Sequence, residues 1–113
     1  MLDLWCGALV ESVRWDTPDL SARQMALLLT VYLTPPPHTV RGLAARLNVS
    51  KPAITRTLDR LGAHALVRRK PDAANRRSIL VQRTVAGSIY LSEFADLVRQ
   101  SLSDTGLPHT SAG

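Results

Sequence analysis
With 113 residues the chain can build one core but not two, so a single domain is expected. Its 45% apolar and 20% charged residues exclude wholesale disorder, and no apolar run approaches the roughly 18 residues of a membrane span. The formal charge of +5 is unevenly spread, with eleven Lys/Arg against two Asp/Glu from His38 to Arg83 and three against seven elsewhere, which points to a polyanionic partner for the middle of the chain.

Residues 3–15 place Leu4, Trp5, Ala8, Leu9 and Val13 at helical spacing. The stretch lacks a basic start, and Asp3 and Glu11 interrupt its apolar positions, so it does not read as a signal peptide. Cys6 is the lone cysteine, which excludes an internal disulfide and fits a reducing cytoplasm. Lying close to the apolar stripe, it reads as a small buried hydrophobe, with redox sensing as the alternative. Trp5 and Trp15 are expected to pack on the next helix, a dimer interface being the other reading.

DTPD, at residues 16–19, breaks this helix. LSARQMALLLTVYL then opens with a capping box, Ser21 as N-cap with Gln24 three residues on, and Leu20 and Met25 placed to staple across it. Met25, Leu28, Leu29, Val31 and Tyr32 cover much of this helix, which is therefore expected to be central. TPPPH stops it, because successive prolines remove amide donors and hold the backbone extended. A short strand is expected here, followed by a helix capped by Thr39 with Val40, Leu43, Ala44 and Leu47 as its apolar stripe.

Asn48-Val49 links this helix closely to SKPAITRTLDRL, Ser50–Leu61. Ser50 reads as an N-cap, Pro52 falls in the first turn where its missing N–H is not needed, and Val49 and Ile54 form a second staple. On a 100° wheel Ile54, Leu58 and Leu61 share one arc. Pro52, Thr55, Arg56 and Asp59 share the opposite one, flanked by Lys51 and Arg60. Two short helices so joined, the second capped and stapled, are the pattern of a helix-turn-helix.

LVRRK and RRSILVQR follow as β-prone runs separated by the turn composition PDAAN, with Asn75-Arg76-Arg77 at or near the tip of the hairpin. Thr84 caps a last helix with Ile89, Tyr90, Leu91, Phe94, Leu97, Val98 and Leu102 on its apolar face, and the tail SDTGLPHTSAG is expected to fray. The fold class is mainly α with a small β-hairpin wing, a winged helix-turn-helix. It spans residues 1–103 as one domain, with flanking helices at 1–15 and 88–102, a DNA-binding core at 38–83 and a flexible tail at 104–113.

An outer helical face rich in cations is by itself an ordinary solvated face. The wing changes that reading, because Arg68, Arg69, Lys70, Arg76 and Arg77 on one small hairpin repel one another unless an anion lies among them. Double-stranded DNA supplies that anion, with the helix in the major groove and a wing arginine in the minor groove. Arg56 suits guanine O6/N7, Thr55 a thymine methyl or a phosphate, and Lys51 with the first-turn amides a phosphate. Asp59 either accepts from cytosine N4 or orients Arg56 or Arg60. A codon bias towards arginine would explain twelve Arg among fourteen basic residues, but not their clustering. His38, His64 and His109 are far apart and read as surface or loop residues, so no metal or other cofactor is expected. No nucleophile triad, carboxylate pair or phosphate-cradling loop is present, and no enzyme is expected.

The stretch Leu20–Gly87 resembles the multiple-antibiotic-resistance regulator (MarR) family of winged-helix transcription factors. LSARQMALLL is similar to its second helix, TVRGLAARLNVSKPAITRTLDRL to its helix-turn-helix, and LVRRKPDAANRRSILVQRTVAG to its wing and the LT-x-x-G start of the next helix. The resemblance implies a cytoplasmic, nucleoid-associated bacterial homodimer, built through its N- and C-terminal helices and bound to an inverted repeat, and it leaves room for a small-molecule effector. It implies base-edge roles for Pro52, Thr55 and Arg56, phosphate roles for Ser50 and Lys51, and a wing contact for Arg76 or Arg77. The expected activity is transcriptional repression; the alternative is a protein–protein module that docks its basic face on an acidic partner. Asn75 stands where the family usually has Asp, so an ion pair bracing the wing comes from Asp72 or is absent. Ala65 stands where a glycine usually ends the recognition helix, with Gly62 inside it, and Arg83-Thr84 replaces Leu-Thr. The outer helices are short, about 12 and about 16 residues by pattern.

Overall fold
The fold is that of a computed structural model, which describes residues 2–14 and 18–104. The order is α1 (Leu2–Arg14), α2 (Ala22–Leu33), β1 (His38–Thr39), α3 (Val40–Leu47), α4 (Lys51–Ala63), β2 (Val67–Asp72), β3 (Asn75–Arg83) and α5 (Val85–Asp104). It matches the expected sequence of elements. Trp15, His109 and the expected tail from residue 105 onward lie outside the described residues. The chain divides into two units, Leu20–Ser88 and Met1–Asp19 with Ile89–Gly113.

In the unit Leu20–Ser88 each helix begins where its capping side chain dictates. Ser21 Oγ accepts from Gln24 N–H at 3.1 Å while Gln24 Oε1 accepts from Ser21 N–H at 2.8 Å, a closed capping box. Thr39 and Ser50 likewise accept from Gly42 N–H and Ala53 N–H. Each such cap satisfies one amide that has no partner inside its own helix, at a worth of about 1 kcal/mol. Between α3 and α4, Asn48 adopts the left-handed conformation (φ 55°), which an asparagine tolerates better than most residues and which turns the chain sharply into Ser50. Leu27, Leu28 and Val31 of α2 meet Leu43 of α3 and Ile54, Leu58 and Leu61 of α4 in the core, with Leu66, Val67 and Val81 beside them. Full burial of each large side chain contributes about 1.5–3 kcal/mol. Leu27, outside the apolar set read from the sequence, is among the fully buried residues.

The sheet is antiparallel in the order β1-β3-β2. Val67 to Pro71 pair regularly with Arg83 to Ile79, and then Asp72 pairs with Asn75. Three residues of β3, Arg76, Arg77 and Ser78, are therefore left without partners on β2. Pro71 cannot donate a ladder hydrogen bond, and the irregularity falls directly after it. The loop proper is only Ala73-Ala74, so the strands reach further into PDAAN than composition suggests and the two arginines sit just behind the tip.

α4 ends in a Schellman turn. Leu66 N–H bonds Leu61 O and Ala65 N–H bonds Gly62 O, both at 2.9 Å, with Ala65 at φ 59°. An alanine in the left-handed region carries a penalty that glycine does not. Gly62 meanwhile occupies an exposed helical position with nothing within 4 Å of an added Cβ. Ala65→Gly and Gly62→Ala are each expected to stabilise the fold by about 1 kcal/mol. Urea denaturation of the single variants checks this, and a lowered midpoint for either contradicts it.

The open end of the hairpin, where β2 begins and β3 ends, is tied to α2. Tyr32 hydroxyl donates to Leu66 O at 2.8 Å and accepts from Thr84 N–H at 2.8 Å. Thr84 Oγ1 donates to Ala65 O at 2.6 Å and accepts from Gly87 N–H at 2.9 Å, capping α5 as expected. Arg83 donates from Nε to Val31 O and from an Nη to Thr34 O, both at 2.9 Å, with its guanidinium 5.9 Å from the Tyr32 ring centre. The arginine that replaces the family's leucine thus caps the carbonyl end of α2, where the helix dipole favours a cation.

In the other unit Ala8 of α1 and Tyr90, Leu97 and Ser101 of α5 are buried. Gly7 permits close packing, since an added Cβ would lie 2.9 Å from Ser101 Oγ. The Tyr90 hydroxyl donates to Pro18 O at 3.3 Å, and burial, helped by the charge of Asp19, raises its pKa above the usual tyrosine value. Two expectations fail here. Cys6 is exposed rather than buried, because it lies about 200° around the helix from the buried Ala8. Ile89 is exposed, leaving Tyr90 and Leu97 as the enclosed part of the face read for α5. Trp5 is 47% exposed, and Leu2, Leu9, Val10 and Val13 join it on an open apolar face of α1.

Candidate nucleic-acid interface
The buried stripe of α4 fixes which side of this helix is free. Ile54, Leu58 and Leu61 are buried, together with Ala53 and Thr57, whose hydroxyl bonds Ala53 O at 2.9 Å. Lys51, Pro52, Thr55, Arg56, Asp59 and Arg60 are all exposed. The division between inner and outer arcs is the one the wheel requires.

A cleft of about 530 Å³ separates this outer face from the wing. Lys51 and Thr55 line it from α4, Arg69, Asn75 and Arg77 from the hairpin, and Thr39, Val40 and Arg41 from the start of α3. Helix and wing therefore stand side by side, their cations facing a common hollow. Arg56 is on the other flank of α4, in a hollow of about 430 Å³ with Ser21, Arg23 and Gln24. Pro52, Arg60, Lys70 and Arg76 are exposed, and Ser50 is exposed at the helix start with its hydroxyl engaged as the cap.

Two wing arginines have partners. Arg68 donates to Gln82 Oε1 at 3.2 Å across the hairpin, and Arg69 donates to Asp59 Oδ1 at 2.7 Å. Asp59 thus bonds neither Arg56 nor Arg60. The Schellman turn sends β2 back past the end of α4, so the arginine ten residues later reaches it first. With the two side chains 37% and 60% exposed, the pair contributes at most about 1 kcal/mol to stability, and its effect is to link wing and helix. Within the wing no carboxylate braces an arginine. Asp72 Oδ1 accepts from Ala74 N–H at 2.9 Å and Asn75 Oδ1 from Arg77 N–H at 3.1 Å, local turns that shape the tip and the bulge.

Arg83 is withdrawn from the basic surface by its bonds to α2. Arg41 joins it instead, a residue counted in the charge excess of the middle segment but given no role by its pattern. The signal for it was its position two residues after the Thr39 cap, off the apolar stripe of α3. His38 bonds Thr34 O through Nε2 at 3.1 Å, and no group of three or more potential metal ligands forms among the described residues. No helix among them is long and apolar enough to cross a membrane.

Residues 20–79 match the MarR family. Among solved structures, the transcriptional regulator BldR from Sulfolobus solfataricus is 31% identical, with a TM-score of 0.63 over 77% of this chain and 61% of its own. A cysteine-to-serine mutant of MarR from E. coli complexed with operator DNA is 31% identical, with a TM-score of 0.66 over the same shares, 77% and 61%. YusO from Bacillus subtilis, 20% identical, shares the fold over 92% of this chain and 71% of its own with a TM-score of 0.76. The chain spans about three fifths of the length of the MarR and BldR structures it matches. No curated protein sequence matches it.

Proposed function
Because the chain belongs to the MarR family, we propose that it is a sequence-specific double-stranded DNA-binding regulator that represses transcription, including that of its own gene. The observation that carries this reading is the cleft into which α4 and the wing both send cations, a shape suited to adjacent grooves of one duplex. α4 enters the major groove, where Thr55 and Arg56 read base edges beside Pro52, and Ser50, Lys51 and Arg60 engage phosphates. The wing, held to α4 through Asp59 and Arg69, reaches the neighbouring minor groove, with Arg68 and Lys70 on its flanking strand.

The open apolar face of α1 supports a homodimer, since a lone soluble chain rarely leaves such a face uncovered. Two copies related by a two-fold axis would read an inverted repeat with half-sites about 34–36 Å apart. Titration on the DNA upstream of its own gene, across a salt series and with mass measured in solution, tests the whole reading. A specific complex that weakens steeply with salt is expected, and equal affinity for random DNA at every salt would refute it.

The bulge of β3 separates its two arginines. Arg77 lines the cleft beside Lys51, whereas Arg76 does not, so Arg76 is the minor-groove residue in this reading. Arg76→Ala is expected to weaken binding most on sites with A·T-rich flanks, where the minor groove is narrow and its potential most negative. Arg77→Ala should weaken all sites alike. Competition titrations with A·T- and G·C-flanked duplexes separate the two, and the reverse pattern would exchange their roles.

A further inference from the structure
A helix in the major groove and a wing in the next minor groove leave one sugar-phosphate strand between them. That strand has to cross the cleft separating α4 from the hairpin. Of the cations lining this cleft, Arg69 is neutralised by Asp59, while the side chains of Arg41, Lys51 and Arg77 take part in no ion pair or hydrogen bond among the described residues. Three uncompensated cations around one hollow repel one another until an anion enters. Half-buried Val40 and Ile79 also line it, and apolar walls strengthen an ionic contact by keeping water away.

The geometry points to a seat for a single phosphodiester strand, with Arg41 of α3 as a phosphate-binding residue of the interface. The inference rests on the DNA-binding reading above and adds a third wall to it. Arg41 lines the hollow from α3 and Arg77 from β3, so a phosphate seated there would meet cations of two elements besides Lys51 of α4.

Arg46 provides the control. It carries the same charge on the same helix, but lines a different hollow with Thr34 and Pro35. Affinity for the upstream duplex and for a random duplex is measured between low and high salt for the unaltered protein, Arg41→Ala, Arg41→Lys and Arg46→Ala. Loss of one phosphate contact should reduce the slope of log affinity against log salt by about 0.9 in Arg41→Ala, on both duplexes alike. Arg41→Lys keeps the charge and should keep the slope, as should Arg46→Ala.

An unchanged slope in Arg41→Ala, with the unaltered protein still binding, would overturn the assignment alone. So would an equal fall in Arg46→Ala, which would signal net charge and no particular seat. Absence of salt-dependent binding by the unaltered protein would instead remove the DNA reading, and this inference with it. A duplex with one neutral methylphosphonate in place of a phosphate gives a second readout that needs no comparison of folding. At one position the unaltered protein should lose affinity while Arg41→Ala loses no more, and equal losses for both proteins at every position would refute the contact.

Discussion
Gly87→Ala is expected to destabilise the protein by about 3 kcal/mol, enough to lower Tm by roughly 10 °C or more. A Cβ at this buried position would overlap the Tyr32 hydroxyl and the Leu66 carbonyl oxygen and come within 2.6 Å of Tyr32 Cζ. Neither neighbour can yield cheaply. The Tyr32 hydroxyl bonds both Leu66 O and Thr84 N–H, so moving it strands two polar groups, and Leu66 is held by the Schellman turn at the end of α4. Urea denaturation of Gly87→Ala, Tyr32→Phe and the double variant checks the mechanism. Removing the hydroxyl relieves only part of the overlap, so the double variant should be no more stable than Tyr32→Phe. A double variant as stable as the unaltered protein would show that the tyrosine alone demands a glycine there.

The second large effect concerns reading of bases. Arg56→Ala should cost about 1–3 kcal/mol of affinity at one base step and relax specificity at that step, because a guanidinium can donate bidentately to guanine. Arg56 stands apart from the wing cleft, next to the start of α2, so its loss should leave the Arg41 and Arg77 contacts intact. Affinities for duplexes altered one base pair at a time provide the check. A uniform loss over all of them would make Arg56 another phosphate contact.

Both effects depend on features the chain states unequally. The glycine of the LT-x-x-G start is visible in the sequence, but the reason for it is a tyrosine 55 residues earlier. The outer arc of α4 was legible because a capped helix with a fixed buried stripe has only one free side. The bulge was not, since composition marks PDAAN as a turn without saying how many residues each strand claims. Nor was the destination of Asp59. Its partner comes from β2, and no spacing rule within a helix could select it. The single apolar stripe read for α1 proved to be two faces, because Leu4, Trp5, Ala8 and Leu9 satisfy helical periodicity whichever side is covered.

What the sequence determined by itself is local. Caps, staples, stop signals and apolar periods act between residues within about four positions of each other, so Ser21, Thr39, Ser50 and Thr84 start their helices whatever surrounds them. Only the tertiary structure decided which of the clustered cations are free. It turned Arg83 onto the carbonyls of α2, tied Arg69 to Asp59, and brought Arg41 to the hollow that Lys51 and Arg77 share. A charge acts through distance in space, and segments far apart in the chain acquire their distances only when the core closes between them.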